Sequence, residues 1–285
     1  MGADGEQGMI KDILVHLPVG KSPDPAIAFA VSVATEFSAH LTGIAFRYEP
    51  IIPVMVDMYG IPAGIIESQR VEMARGAKAA VAGLDDAARR AAISGEARIV
   101  DTPADGAPGM LAAIARRFDL AVIGQPQPGE PALGKLLIEA TLFESGRPML
   151  VVPYIHTGPL KLDRVLVGWD GSRSAARAIG DAMPFLVRAK ATEIVMVAGE
   201  PAKSDELPGA GIAHHLARHG VKLAVERIPA TTVDIASTML SHAADVSADL
   251  LVMGGYGHSR MREFVLGGAT RGILGSMTIP ALMSH

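Results

Sequence analysis

Short, continuously apolar runs rich in Ile, Leu and Val recur along this chain, each bounded by charged or turn-forming residues. In the second half Val165-Leu166-Val167 follows Arg164, and Leu250-Leu251-Val252-Met253 ends in Gly254. The stretches between such runs carry apolar positions at the three- and four-residue spacing of a helix face. The pattern predicts strands at 164–169, 193–198, 222–228, 249–254 and 279–284, and helices at 172–188, 207–219, 232–246 and about 268–275. Strands that are apolar throughout, rather than alternating, belong to a parallel sheet covered by helices on both faces. Right-handed crossovers then give a five-stranded, doubly wound unit.

The same landmarks occur twice. Ile13-Leu14-Val15-His16-Leu17 matches Val165-Leu166-Val167-Gly168-Trp169. Leu120-Ala121-Val122-Ile123-Gly124 matches Leu250 to Gly254, and Pro148 with its following apolar run matches Pro280 with its own. Three landmarks in one order mark an internal repeat. They predict two tandem domains, 9–154 and 162–285, joined by Tyr154-Ile-His-Thr-Gly-Pro-Leu-Lys161, whose Gly-Pro punctuation is that of a linker. The fold class expected is α/β, with two tandem five-stranded parallel-sheet domains of Rossmann-like or flavodoxin-like type.

The halves are unequal. Ala45 and Val100 stand 55 positions apart, whereas their counterparts Val197 and Val225 stand 28 apart. The first domain therefore carries an insertion at about 47–75, apolar over 51–66 and leading into an amphipathic helix of roughly 66–93. An apolar loop needs cover, which its own domain or a subunit or interdomain interface supplies. A membrane surface fits it less well, because few basic residues lie there.

Composition narrows the function classes. A chain of 285 residues, 49% hydrophobic, has ample material for two cores. Lys and Arg total 26 against 30 Asp and Glu, so no basic excess points to nucleic acid. The absence of cysteine removes disulfides, thiolate catalysis and Cys-held metals. The polar, acidic start is unlike a secretory leader, and no charge-free apolar stretch is long enough to span a bilayer. A cytoplasmic protein is expected.

In an open parallel sheet a ligand binds beyond the carboxyl ends of the strands, where strand order reverses. In the second domain those ends are Gly168-Trp169-Asp170-Gly171-Ser172 and Met253-Gly254. The latter opens a Gly-x2-Gly-x9-Gly pattern at Gly254, Gly257 and Gly267. Glycines let backbone approach a ligand closely. Amides of Gly267, Gly268, Ala269 and Thr270, at a helix start, suit phosphate oxygens. His258, Arg260 and Arg262 lie in the intervening loop. Asp170 can accept from ribose or adenine donors, although Asp and Ser there also suit a helix cap, and the glycines also suit tight turns. Gly129 to Lys135 nearly spells a phosphate loop, but Leu136 stands where Ser or Thr must hold Mg²⁺. His214, His215 and His219 have helical spacing without a third ligand, so no metal site is assigned. No nucleophile–base pair stands out, so no catalytic residue is assigned either.

These features resemble the universal stress protein family, in Asp170 after the first strand and in Gly254, Gly257 and Gly267, and the resemblance runs over both halves. It implies ATP in the second domain, with or without Mg²⁺ and with ADP or AMP as alternatives. Val197 would lie beside the adenine, and Met253 just before the glycines. It further implies pairing of the domains through their last strands, 147–153 and 279–284, leaves a homodimer of the whole chain open, and points to a sensor or regulator heard by a protein partner, with slow ATP hydrolysis at most. Gly268 stands where the family pattern has Ser or Thr, and Thr270 is the nearby hydroxyl. In the first domain Pro18 replaces the Asp, and Pro126, Pro128 and Pro131 remove amide donors. That domain is expected to bind no nucleotide in this way. The alternative is a nucleotide-independent stress protein that works through protein contacts.

Overall fold

A computed structural model describes residues 10–20, 24–48, 63–198, 209–229, 234–255 and 268–285. The first half runs β1 (Asp12–Leu17), α1 (Pro25–Phe37), β2 (His40–Tyr48), α2 (Ala63–Ala91), β3 (Gly95–Thr102), α3 (Ala107–Ala115), β4 (Leu120–Gly124), α4 (Leu133–Glu144) and β5 (Met149–Val152). The second half runs β6 (Arg164–Gly168), α5 (Arg173–Leu186), β7 (Ala191–Ala198), α6 (Ala210–Arg218), β8 (Leu223–Pro229), α7 (Ile235–Asp245), β9 (Leu250–Gly254), α8 (Gly268–Ser276) and β10 (Ala281–Ser284).

Element ends follow local chemistry. Asp234 caps α7 by accepting from the Ser237 amide at 3.0 Å, which starts that helix later than its apolar pattern alone predicts. Pro148 and Pro280 have no N–H, so β5 and β10 begin one residue after each. Their carbonyls still join the sheet, accepting from Ala121 at 3.1 Å and from Leu251 at 2.9 Å. The long helix of the insertion covers Ala63–Ala91, beginning three residues before the predicted 66. Most of the apolar 51–66 stretch lies outside the described residues.

All ten strands form one sheet, in the order β3-β2-β1-β4-β5-β10-β9-β6-β7-β8. Each half is a parallel five-stranded unit with the same internal order, in line with the repeat read from the sequence. The halves join antiparallel through β5 and β10, with Ala281 opposite Val151 and Met283 opposite Met149. The two halves therefore run in opposite directions, and the carboxyl ends of one set of strands lie at the rim where the other set begins.

Each face of the sheet carries one continuous core, and each core draws residues from both halves. Phe37 of α1 and Phe185 of α5 meet edge to face, with ring centroids 4.8 Å apart. Arg188 lies 4.5 Å over the Phe37 ring and pairs with Glu36 at 3.5 Å. The linker is packed too. The Leu160 amide donates to Ser32 Oγ on α1 at 2.7 Å, and the His156 ring stands edge-on to Phe29 at 5.1 Å.

His156 Nε2 is buried with no partner among the described residues. Burial holds its imidazole below the ordinary value of 6.5, Gly158 backbone acting in the opposite sense and Lys161 in the same one. The sign follows. Below about pH 6.5 the unfolded chain takes up a proton that the folded chain resists. Stability contributed by neutral His156 is thus full above that pH and is lost as pH falls through the lowered folded value. A urea midpoint that drops between pH 7.5 and 5.5, with a smaller drop in His156→Phe, is the expected result. Equal drops in the two proteins would show that His156 is not responsible.

Candidate functional site

In the second half β6 is flanked by β7 on one side and β9 on the other. The chain proceeds from β6 through β7 to β8, then returns to β9 and β10, so strand order reverses between β6 and β9. The crevice beyond their carboxyl ends is the switch point at which such folds take ligands.

Asp170 stands there, exposed, one residue past Trp169, whose amide donates to the Val195 carbonyl at 2.9 Å. Asp170 Oδ1 accepts from the Ser172 amide at 2.9 Å. Gly171 between them has φ +74°, a left-handed conformation that favours glycine. The cap of α5 is Ser172, whose Oγ accepts from the Ala175 amide at 3.1 Å. Asp170 is therefore not the capping residue, and its carboxylate stays at the surface.

Across the crevice, β9 ends against the first turn of α5. A Cβ on Gly254 would lie 2.6 Å from the Ala175 nitrogen and 2.6 Å from the Ser174 carbonyl carbon. That glycine is needed for helix–strand packing, whatever else it does. Met253 is half-buried beside Gly168, where a Cβ would meet Met253 Cβ at 3.7 Å. Val197, half-buried, lies two residues beyond Val195, the partner of Gly168 on β7. The strand register thus brings Val197, Asp170, Met253 and Gly254 to one rim.

At the start of α8, Gly268 is exposed, and a Cβ there would meet nothing within 4 Å among the described residues. Ala269 is half-buried, and Thr270 is 2% exposed. Farther along, Gly272 packs against α7, where its Cβ would meet Ala236 Cβ at 2.5 Å. Gly257, His258 and Gly267, with Arg260 and Arg262, lie outside the described residues.

Several contacts escaped the sequence reading. Gln125 is 5% exposed, and its Nε2 donates to the Leu274 carbonyl of α8 at 2.8 Å. Gln125 follows Gly124 as Gly255 follows Gly254, so the repeat itself marks the position, though not its role across the seam. Gly255 meets the same seam from the other side, where a Cβ would lie 2.6 Å from Leu142 Cδ2 of α4. His285 Nδ1 donates to the Gly255 carbonyl at 3.0 Å. The first half also has an acid near its own crevice. Asp24 Oδ1 caps α1 through the Ala26 amide at 2.7 Å and would lie 3.3 Å from a Cβ on Gly124. The loop after β1 is covered by α2, since a Cβ on Gly76 would meet Val19 Cγ1 at 2.7 Å.

Other polar groups have structural partners. Glu193 pairs with His242 at 2.5 Å and with Arg164 at 3.5 Å. The His215 and His219 rings stack edge-on at 4.8 Å. Among the described residues no three His, Cys, Asp or Glu side chains are grouped to hold a metal ion, and no helix is long and apolar enough to cross a membrane.

Two doubly wound α/β units joined through their last strands, with a glycine-bounded crevice in the second, define the class. The universal stress protein family model matches residues 161–285, the second of the two units. The universal stress protein Slr1230 of Synechocystis sp. is 28% identical over 170 residues, a match covering 58% of this chain and 57% of the relative. The match thus spans little more than half the relative's length. A universal stress protein from Archaeoglobus fulgidus DSM 4304 has the same fold at TM-score 0.68 and 18% identity, covering 95% of both chains. A functionally unknown protein from Pseudomonas aeruginosa PAO1 also shares it, at TM-score 0.62 and 15% identity, covering 98% of this chain and 93% of its own.

Proposed function

We propose that this chain is a universal stress protein that binds an adenine nucleotide, ATP in the first place, in its second domain, residues 162–285. The observation that supports this most directly is the crevice at the β6–β9 switch point. An exposed Asp170 carboxylate borders one side, and the strand ends of Val197 and Met253 form its base. The chain also carries the glycine pattern between β9 and α8. Asp170 takes ribose or adenine donors in this reading, while amides from Gly267 to Thr270, with Gly257 and His258, take the phosphates. Mg²⁺ accompanies the phosphates. No catalytic role is assigned.

The first domain, residues 9–154, acts as a structural partner in this proposal. The packing of Val19 against α2 and the three prolines after Gly124 favour that role. Binding acts on the segment joining β9 to α8 and alters a surface read by a protein partner. The protein then works as a cytoplasmic sensor or regulator, with self-association of the whole chain as an added level. A second reading, action through protein contacts without nucleotide, is favoured by one feature, the missing hydroxyl at Gly268.

Calorimetric titration with MgATP separates the two. One site per chain is expected, with Asp170→Ala weakening it about tenfold or more through loss of charge-assisted hydrogen bonds. Two sites per chain would overturn the division of labour between domains. No heat at millimolar MgATP would favour the second reading.

A further inference from the structure

A cleft of about 410 Å³ opens at the seam between the halves. Asp119, Arg147 and Pro148, which precede β4 and β5, form one wall, and Gly180, Asp181 and Pro184 of α5 form the other. None of the residues assigned above to the nucleotide lines it. Its volume suits a small organic ligand, and seams between domains are a common place for such sites.

The charges in this cleft are unequally committed. Asp119 Oδ2 accepts the amides of Lys11 at 2.8 Å and Asp12 at 3.0 Å. Asp181 Oδ2 accepts from Arg177 Nε at 2.8 Å. Arg147 Nε donates only to the Arg116 carbonyl, at 3.2 Å. Among the described residues no carboxylate pairs with the Arg147 guanidinium, so its planar fork remains for an anion.

The α5 wall carries two residues that weaken a helix. Gly180 in mid-helix costs about 1 kcal/mol relative to alanine, yet a Cβ there would meet nothing within 4 Å among the described residues. Packing therefore does not require the glycine, and the missing side chain leaves the cleft open. Pro184 has no N–H to give the Gly180 carbonyl four residues earlier. Beside Gly180 the same wall presents apolar surface from Pro184 and Met183.

We propose that this cleft binds a small organic anion with an apolar body, its acid group on Arg147 and its body against Pro148, Met183 and Pro184. The site is separate from the nucleotide crevice and does not depend on it.

The probe is 8-anilinonaphthalene-1-sulfonate, followed by fluorescence on the full chain. Saturable binding at one site is expected, weakened tenfold or more in Arg147→Ala and less in Arg147→Lys. Gly180→Leu, which projects a side chain into the cleft, is expected to abolish binding while leaving the melting temperature equal or higher. MgATP at saturation is expected to leave the probe in place. Unchanged affinity in both Arg147→Ala and Gly180→Leu would overturn the proposal, as would displacement by MgATP or absence of saturable binding. If Gly180→Leu fails to fold, the Arg147 pair decides alone. Because the nucleotide is titrated separately, failure of the cleft and failure of the ATP reading give different results.

Discussion

Phe185→Ala is expected to lower the stability of the whole chain by about 3–5 kcal/mol, the range for removing a buried aromatic ring from a packed core. Phe185 is fully buried. Its ring meets Phe37 of the other half at 4.8 Å, and it belongs to a core that runs from Ile10 to Leu282 without a break between halves. The loss therefore falls on both halves at once. Urea unfolding followed by circular dichroism and by the single Trp169 should show one coincident transition, moved to lower urea in the variant. Two separated transitions in the wild type, or a shift worth under about 1 kcal/mol, would mean that the seam is far looser than its packing indicates.

The order of elements was readable because it rests on local periodicity. Continuous apolar strands and repeated landmarks at Gly124 and Gly254 are sufficient for a doubly wound unit present twice. The joining of β5 to β10 came from resemblance to a family, since nothing in the two apolar runs dictates which edge meets which. The contacts that span the seam were not readable at all. Gln125 looks like one polar residue in a proline-rich loop, and only the fold brings its amide to the Leu274 carbonyl. Likewise Asp24 is an ordinary helix cap in sequence, and its approach to Gly124 depends on how α1 lies on β4. The placement of Asp170 and Gly254 at the ends of β6 and β9 was legible from the strand pattern. That Ser172, and not Asp170, caps α5 was decided by backbone geometry two residues long, below what residue preference resolves.

Gly254→Ala tests how the crevice is built. The new Cβ would meet backbone, 2.6 Å from the Ala175 nitrogen and from the Ser174 carbonyl carbon, so no side-chain rotation relieves it. The first turn of α5 must move off β9, at a cost near the upper end of the roughly 1–3 kcal/mol typical of overpacking. The same turn carries Ser172, to whose amide Asp170 is bonded, so MgATP affinity should fall together with stability if the nucleotide proposal holds. Two other glycines supply the contrast. At Gly255 the nearest atoms to the added methyl among the described residues all belong to the Leu142 side chain, which can rotate away, and a smaller loss is expected for Gly255→Ala. At Gly268 a Cβ meets nothing within 4 Å among the described residues, so Gly268→Ser should stay within about 0.5 kcal/mol of wild type while restoring a hydroxyl where phosphate is proposed to bind. Urea midpoints and MgATP titrations of the three variants give the ranking. If Gly254→Ala unfolds at the wild-type midpoint, β9 and α5 are not in the contact described, and the crevice loses the rigid wall that would hold Asp170 toward a ligand.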